Sequence, residues 1–183
     1  MKTVILLRHA KSDWSDTTQR DFDRPLNGKG ERAAALMGSW ARREALKFDA
    51  IVASSAARVR DTFAKFMESY GDGPAPIWDK RIYLASAATI ADVIAQADEA
   101  AETLLVVGHN PGLEEFILGH VADDGQSELR EDVAEKFPTA AMAVLDFPIE
   151  HWRELARGGG GVAQLRRFIR PRDLDPALGP ERT

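Results

Sequence analysis

The segment Thr103-Leu104-Leu105-Val106-Val107 is a short, unbroken aliphatic run in which polar and apolar residues do not alternate. A strand of that kind has no face to offer water, so it belongs inside a parallel sheet covered on both sides. Val4-Ile5-Leu6-Leu7 has the same character, and Ala50-Ile51-Val52-Ala53 is a shorter version. Parallel neighbours need long crossovers. The chain supplies them as stretches with helical periodicity: Ala33, Leu36, Met37, Trp40 and Ala41 after Asn27-Gly28, then Val59, Phe63, Phe66 and Met67 within Ala57 to Tyr70. Strands alternating with helices predict an α/β layer fold with a largely parallel sheet in a single domain.

The rest of the chain extends this pattern. Ile77 to Tyr83 is expected as a strand and Thr89 to Ala101 as a helix. A further helix carries Leu113, Phe116 and Ile117, and late strands cover Ala141 to Phe147 and Gln164 to Ile169. Gly158 to Gly161 reads as a flexible turn; it lacks the Lys-Ser/Thr of a nucleotide-binding loop. The domain is expected to span residues 1–172, with a loosely held tail over 173–183 that contains Pro176 and Pro180.

Composition narrows the chemistry. A hydrophobic share of 44% and a charged share of 29% are those of an ordinary soluble domain. The net charge of −5 advertises no nucleic-acid surface. The absence of cysteine removes disulfides, thiolate metal sites and thiol nucleophiles, and leaves the cytoplasm as the expected compartment. Val4 to Leu7 is too short for a secretion signal or a membrane span. No His-Glu-x-x-His and no Asp-rich loop is present, so neither a metal nor another cofactor is expected.

In α/β sheets, ligands gather at the carboxyl ends of the strands. Arg8 and His9 follow the first run directly, Arg58 lies just past the second, and His109 follows Val107 after one glycine. Two arginines and two histidines therefore reach one rim. Arginine presents a planar fork matched to phosphate oxygens, and the helix opening near Ala57 can add its N-terminal dipole. An imidazole with an ordinary pKa near ~6.5 is available as a neutral nucleophile or as a cation. Lys11, Arg24 and Lys29 read as solvated charges, His120 as a helix-end residue and His151 as a surface residue.

Several segments, in order, resemble the histidine phosphatase superfamily, the phosphoglycerate-mutase-like proteins. Leu7-Arg8-His9-Ala10 is similar to its Arg-His-Gly signature. Arg24-Pro25-Leu26-Asn27-Gly28-Lys29-Gly30 is similar to the Arg-Pro-Leu-x-x-x-Gly of its small bacterial members. Ser54 to Thr62 resembles its Ser-x-x-x-Arg-x-x-x-Thr segment, and Val107-Gly108-His109-Asn110-Pro111 its second histidine. The resemblance is closest to the SixA type, short cytosolic members that dephosphorylate phosphohistidine on proteins. It implies a mixed, mostly parallel central sheet with helices on both faces. It further implies a metal-independent phosphatase with His9 as nucleophile and Arg8, Arg58 and His109 as phosphate-binding residues. The substrate expected is a phosphorylated protein or a small phosphate ester.

Two departures stand out. Ala10 replaces the signature glycine, and the stretch Arg81 to Ser86, where larger members carry an acid, has no carboxylate; Asp79 is merely nearby. Two rival readings accompany the main one. The first is a sugar-phosphate or nucleotide phosphomonoesterase, or a mutase, on the same fold; the short stretch between Arg58 and His109 leaves little room for a capping insertion around a small metabolite. The second is a non-catalytic phosphohistidine-binding module, against which the intact His9 argues.

Overall fold

The computed structural model describes residues 1–180. β1 (Lys2–Arg8) runs through the interior of a six-stranded sheet. On one side it pairs in parallel with β4 (Thr103–Gly108), and on the other it pairs antiparallel with β5 (Met142–Phe147). β2 (Ala50–Ala53) and β3 (Pro76–Trp78) continue the parallel half beyond β4, and β6 (Gln164–Ile169) closes the other edge against β5. The order is β3-β2-β4-β1-β5-β6, and β5 alone runs against the rest. The result is a single α/β domain with a mixed, mostly parallel sheet.

Both faces of the aliphatic strands are used. Val4, Leu6, Leu104 and Val106 pack into one core with α3 (Ala87–Ile94), α4 (Gly112–His120) and α5 (Glu128–Glu135). Ile5, Leu7, Leu105 and Val107 face the opposite core, under α1 (Gly28–Arg43) and α2 (Ala57–Tyr70). Each fully buried aliphatic side chain contributes about 1.5–3 kcal/mol, so the strands that carry the site are also the most firmly held. α1 starts where the Asn27 carboxamide oxygen accepts from the Gly30 N–H at 2.8 Å, and Arg42 and Arg43 occupy its negative last turn. No helix among the described residues is long and apolar enough to cross a membrane.

Several elements depart from the pattern-based expectation. β3 ends at Trp78, and Lys80–Ile82 forms a 3-10 turn instead of continuing to Tyr83. The Asp79 carboxylate accepts from the Arg81 backbone N–H at 2.9 Å, a local bond that competes with strand pairing. α3 begins at a Ser86 cap and stops at Ile94, because Asp98 turns the chain by accepting from the Ala100 N–H. The expected loose tail is packed through residue 180. α6 (Pro171–Leu174) and a 3-10 turn over Pro176–Leu178 place Leu174 and Leu178 against the second core, and the Lys29 ammonium donates to the Gly179 carbonyl at 2.8 Å. Residues 181–183 of that segment lie outside the described residues.

α1 and α2 approach closely at Gly38, where a built Cβ would stand 2.1 Å from the Phe66 carbonyl oxygen. Backbone cannot yield there as a flexible side chain would. Gly38→Ala is therefore expected to destabilise the fold by about 1–3 kcal/mol through overpacking. For a chain of this size each kcal/mol lowers Tm by roughly 2–4 °C. An unchanged Tm in thermal unfolding would show that the two helices can slide apart at no cost.

Candidate active site

The site is assembled by strand register. Arg8 is paired with Gly108, and the His9 N–H donates to the Gly108 carbonyl at 3.0 Å, so β1 and β4 end level with each other. The residues that follow, His9 and His109, emerge side by side with ring centroids 5.3 Å apart. β2 ends on the other side of β4, where the Ser54 N–H donates to the Val107 carbonyl at 3.0 Å. α2 then opens at Ala57, so Arg58 lies in its first turn. All four expected site residues line one cavity of about 290 Å³, together with Asp21, Trp14 and Leu84 among others.

His9 is 8% exposed, and its Nδ1 lies 2.7 Å from the Ala10 carbonyl oxygen. A carbonyl can only accept, so the ring proton resides on Nδ1 and the lone pair on Nε2. Burial pushes the imidazole pKa down to about 4 against the pull of that hydrogen bond, and the charges of Arg8 and Arg58 add to the lowering. His9 is neutral at physiological pH.

His109 is held by the same logic. Arg58 Nη2 lies 3.4 Å from its Nδ1 and can only donate, which leaves Nε2–H to donate to Ser54 Oγ at 2.7 Å. Burial, then the neighbouring His9 and Arg58, lowers its pKa to about 3. An oxyanion placed among these groups would favour the imidazolium and so strengthen its own binding.

The arginines differ in how they are held. Arg58, 5% exposed, donates to the Asp21 carbonyl at 2.8 Å and to the Asp21 carboxylate at 3.1 Å. Arg8 donates to the Phe137 carbonyl at 3.0 Å, has no carboxylate within ion-pair distance among the described residues, and keeps a buried Nε without a partner. Burial lowers its pKa. Glu114 offsets part of that cost from beyond ion-pair distance, and an anion bound in the pocket would offset more.

Residues 4–81 match the family model of the histidine phosphatase superfamily (branch 1). The chain is 36% identical over 167 residues to the uncharacterised protein Rv1276c of Mycobacterium tuberculosis, covering 91% of this chain and all of that one. The chain belongs to the histidine phosphatase superfamily. Among solved structures, a provisionally named phosphohistidine phosphatase SixA from Agrobacterium tumefaciens superposes with a TM-score of 0.76 at 30% identity, covering 92% of this chain and 97% of that one. A protein histidine phosphatase SixA complexed with tungstate shares the fold at a TM-score of 0.75 and 16% identity, covering 94% and 99%. This histidine phosphatase fold supports phosphatase activity on a phosphorylated substrate.

The superfamily's motif positions acquire physical roles here. Thr62 Oγ accepts from the Ala10 N–H at 2.9 Å and donates to the Arg58 carbonyl at 2.6 Å, tying the segment behind His9 to α2. Ala10 is fully buried and is not among the residues with positive φ, so alanine in the glycine position carries no backbone strain.

Asp21, which lines the pocket, and Tyr83, which holds it, were not legible in the sequence. Tyr83 donates its hydroxyl to the Asp21 carboxylate, and its ring stands edge-on to His109 at 5.3 Å. The Tyr83 hydrogen bond and then Arg58 hold the Asp21 carboxyl below the usual range despite partial burial. Asp79 instead forms a two-pronged pair with Arg81, at 2.7 and 3.1 Å, and does not line the pocket.

The other cations and histidines sort themselves. Lys11 is exposed at the pocket wall, and Lys29 is tied to Gly179. Arg24, expected to be solvated, is buried with its guanidinium 3.7 Å from the Trp14 ring centre. His120 ends α4 against Phe116 and Phe147, and His151 sits 3.6 Å from Glu99. No group of three or more His, Asp or Glu side chains is placed to hold a metal among the described residues.

Both pocket histidines have folded pKa values below the unfolded value near ~6.5, so the unfolded chain binds protons first as pH falls. Their contribution to stability is fully present above about pH 6.5 and is lost as pH drops toward 4 for His9 and 3 for His109. For His9 alone this is on the order of 3 kcal/mol. Urea unfolding followed from neutral to acid pH should show a shallower acid loss in His9→Asn than in the parent. Parallel curves would mean that His9 is not held neutral by burial.

Proposed function

We propose that this protein is a phosphohistidine phosphatase that takes the phosphoryl group onto His9 and passes it to water. The observation that carries the reading is the hydrogen bond from His9 Nδ1–H to the Ala10 carbonyl, which leaves Nε2 as a lone pair in a pocket also lined by half-buried Arg8 and buried Arg58. In the first step a bond forms between His9 Nε2 and phosphorus while the bond from phosphorus to the substrate's leaving atom breaks. In the second, a water oxygen bonds to phosphorus, the bond to Nε2 breaks, and inorganic phosphate departs. Arg8, Arg58 and the imidazolium form of His109 stabilise charge on the equatorial oxygens, the main task in phosphoryl transfer.

The choice of substrate rests on the leaving group. Asp21 is ionised at neutral pH, and Asp79 is clamped by Arg81, so neither carboxyl supplies a proton. An alkoxide departs poorly without an acid, whereas a phosphorylated imidazole protonated by solvent leaves readily. The site therefore suits phosphohistidine better than a sugar phosphate. The partner proposed is a phosphorylated protein, in keeping with an open mouth rimmed by Trp14 and Leu84, 66% and 55% exposed.

The covalent step is tested directly. A rapid, acid-free quench of the enzyme with a labelled phosphohistidine peptide should trap label on His9, stable to alkali and lost in mild acid. Activity should vanish in His9→Ala and fall by roughly 10²–10³-fold in Arg58→Ala, as for loss of one preorganised donor. Full turnover by His9→Ala excludes the intermediate, whereas a parent protein that binds phosphate but turns over none of these substrates leaves only the binding-module reading.

The leaving-group argument makes a separate expectation. Across a series of aryl phosphates, kcat/KM should fall steeply as the leaving-group pKa rises, and sugar phosphates should be turned over far more slowly than phosphohistidine. A flat dependence with chemistry rate-limiting would reveal a proton donor and favour the small-molecule phosphomonoesterase.

A further inference from the structure

A second depression adjoins the catalytic pocket and shares Lys11 and Thr139 with it. Its walls come from α1, the segment before β5 and the packed tail, and they bring together Lys11, Lys29, Lys136, Arg170 and Arg172. Arg170 is neutralised by a two-pronged pair with Asp173. Among the described residues, the other four have no carboxylate within ion-pair distance. In a chain of net charge −5 this concentration of unpaired cations is a local reversal of sign. It begins where the substrate's phosphoryl group would end.

From this juxtaposition we propose that the groove is a docking surface for an acidic segment of the phosphorylated partner protein. The cations engage carboxylates that flank the phosphorylated side chain. The proposal rests on the phosphohistidine reading above and adds a partner chemistry to it. Two features favour a polypeptide over a small polyanion. The cations come from separate segments, Lys11 after β1, Lys29 in α1, Lys136 at the end of α5 and Arg172 in α6. The same depression is lined by the apolar residues Ala33, Pro171 and Leu178, which suit the side-chain stems of a peptide. Complementary charge of this kind speeds encounter and sets specificity more than it adds affinity. An acidic enzyme otherwise repels an acidic partner, and the groove reverses that locally.

Lys136 and Arg172 are the residues to change, because Lys11 lines the catalytic pocket and Lys29 anchors the tail. Two phosphohistidine decapeptides are compared, one flanked by glutamates and one by lysines, with p-nitrophenyl phosphate as a reference. The glutamate peptide should be favoured roughly tenfold in kcat/KM, chiefly through KM, as a few exposed ion pairs together supply. The preference should collapse in about 1 M salt, where the Debye length is about 3 Å. In Lys136→Glu/Arg172→Glu it should disappear while p-nitrophenyl phosphate turnover stays within about twofold. Equal turnover of the two peptides overturns the proposal, as does a preference that survives in the double variant.

Binding of the unphosphorylated glutamate peptide, followed by fluorescence anisotropy, keeps the two readings distinguishable. If neither phosphopeptide is hydrolysed but the aryl ester is, the phosphohistidine reading fails. Peptide binding that the double variant loses still supports the groove, and absence of binding overturns it. Tripolyphosphate that competes through the same two residues while the peptide does not would reassign the groove to small polyanions and equally overturn the proposal.

Discussion

The level ending of β1 and β4 is the constraint on which the rest of the site depends. Because Arg8 pairs with Gly108, the two histidines that follow are delivered to the same height at the centre of the sheet. Side-chain direction in a strand alternates with period two, so a slip of one residue would send Val4 and Leu6 into the core shaped for Ile5 and Leu7, and the reverse. The register is thus enforced by Val4 and Leu6 on one side and Ile5 and Leu7 on the other, all essentially inaccessible to water. The energy that fixes the distance between His9 and His109 comes from the hydrophobic interior, not from the polar groups of the pocket. The separation of labour is physical: apolar burial is strong but undirected, while the polar groups are directional but yield little net stability.

What those polar groups do is set charge states. The two imidazoles are kept neutral by burial and by arginines close at hand. Their tautomers follow from single partners, a carbonyl for His9 and a guanidinium for His109. Asp21 supplies the counter-charge that orients Arg58 but remains ionised beside Tyr83. A carboxylate so close to an anion site would be a liability without two donors already committed to it. Among the described residues Arg8 has no carboxylate within ion-pair distance; its guanidinium is held by the Phe137 carbonyl instead.

The parts of this arrangement that were legible in the sequence are those written in short-range pattern. Aliphatic runs gave β1, β2 and β4, helical spacing gave α1 and α2, and the strand ends led directly to Arg8, His9, Arg58 and His109. The parts that were not legible arise from long-range contact. Asp21 lies in a polar stretch without periodicity and reaches the pocket only because Arg58 bonds its backbone and side chain. Tyr83 sits in a stretch that has no carboxylate of its own, and its hydroxyl acts by holding a carboxylate from elsewhere. The tail after Pro171 carries turn-forming prolines that suggest looseness. Leu174 and Leu178, too few to form a pattern, are enough to seat it on the core.

The motif around Gly30 shows how a distant segment supports His9. A Cβ at Gly30 would lie 2.2 Å from the Lys11 carbonyl oxygen, so α1 can pass this close to the chain behind His9 only with glycine there. The Asn27 N–H donates to that same carbonyl at 3.0 Å. Thr62 grips Ala10 from the other side. Residues 10 and 11 are thus clamped between the start of α1 and the first turns of α2, and the Ala10 carbonyl is fixed where it can hold the His9 ring proton. The His9 tautomer is therefore a consequence of helix packing. This gives a physical reason for the Arg-Pro-Leu-x-x-x-Gly and Arg-x-x-x-Thr spacings to occur together: each supplies one jaw of the clamp, and neither alone would immobilise the carbonyl on which the lone pair at Nε2 depends.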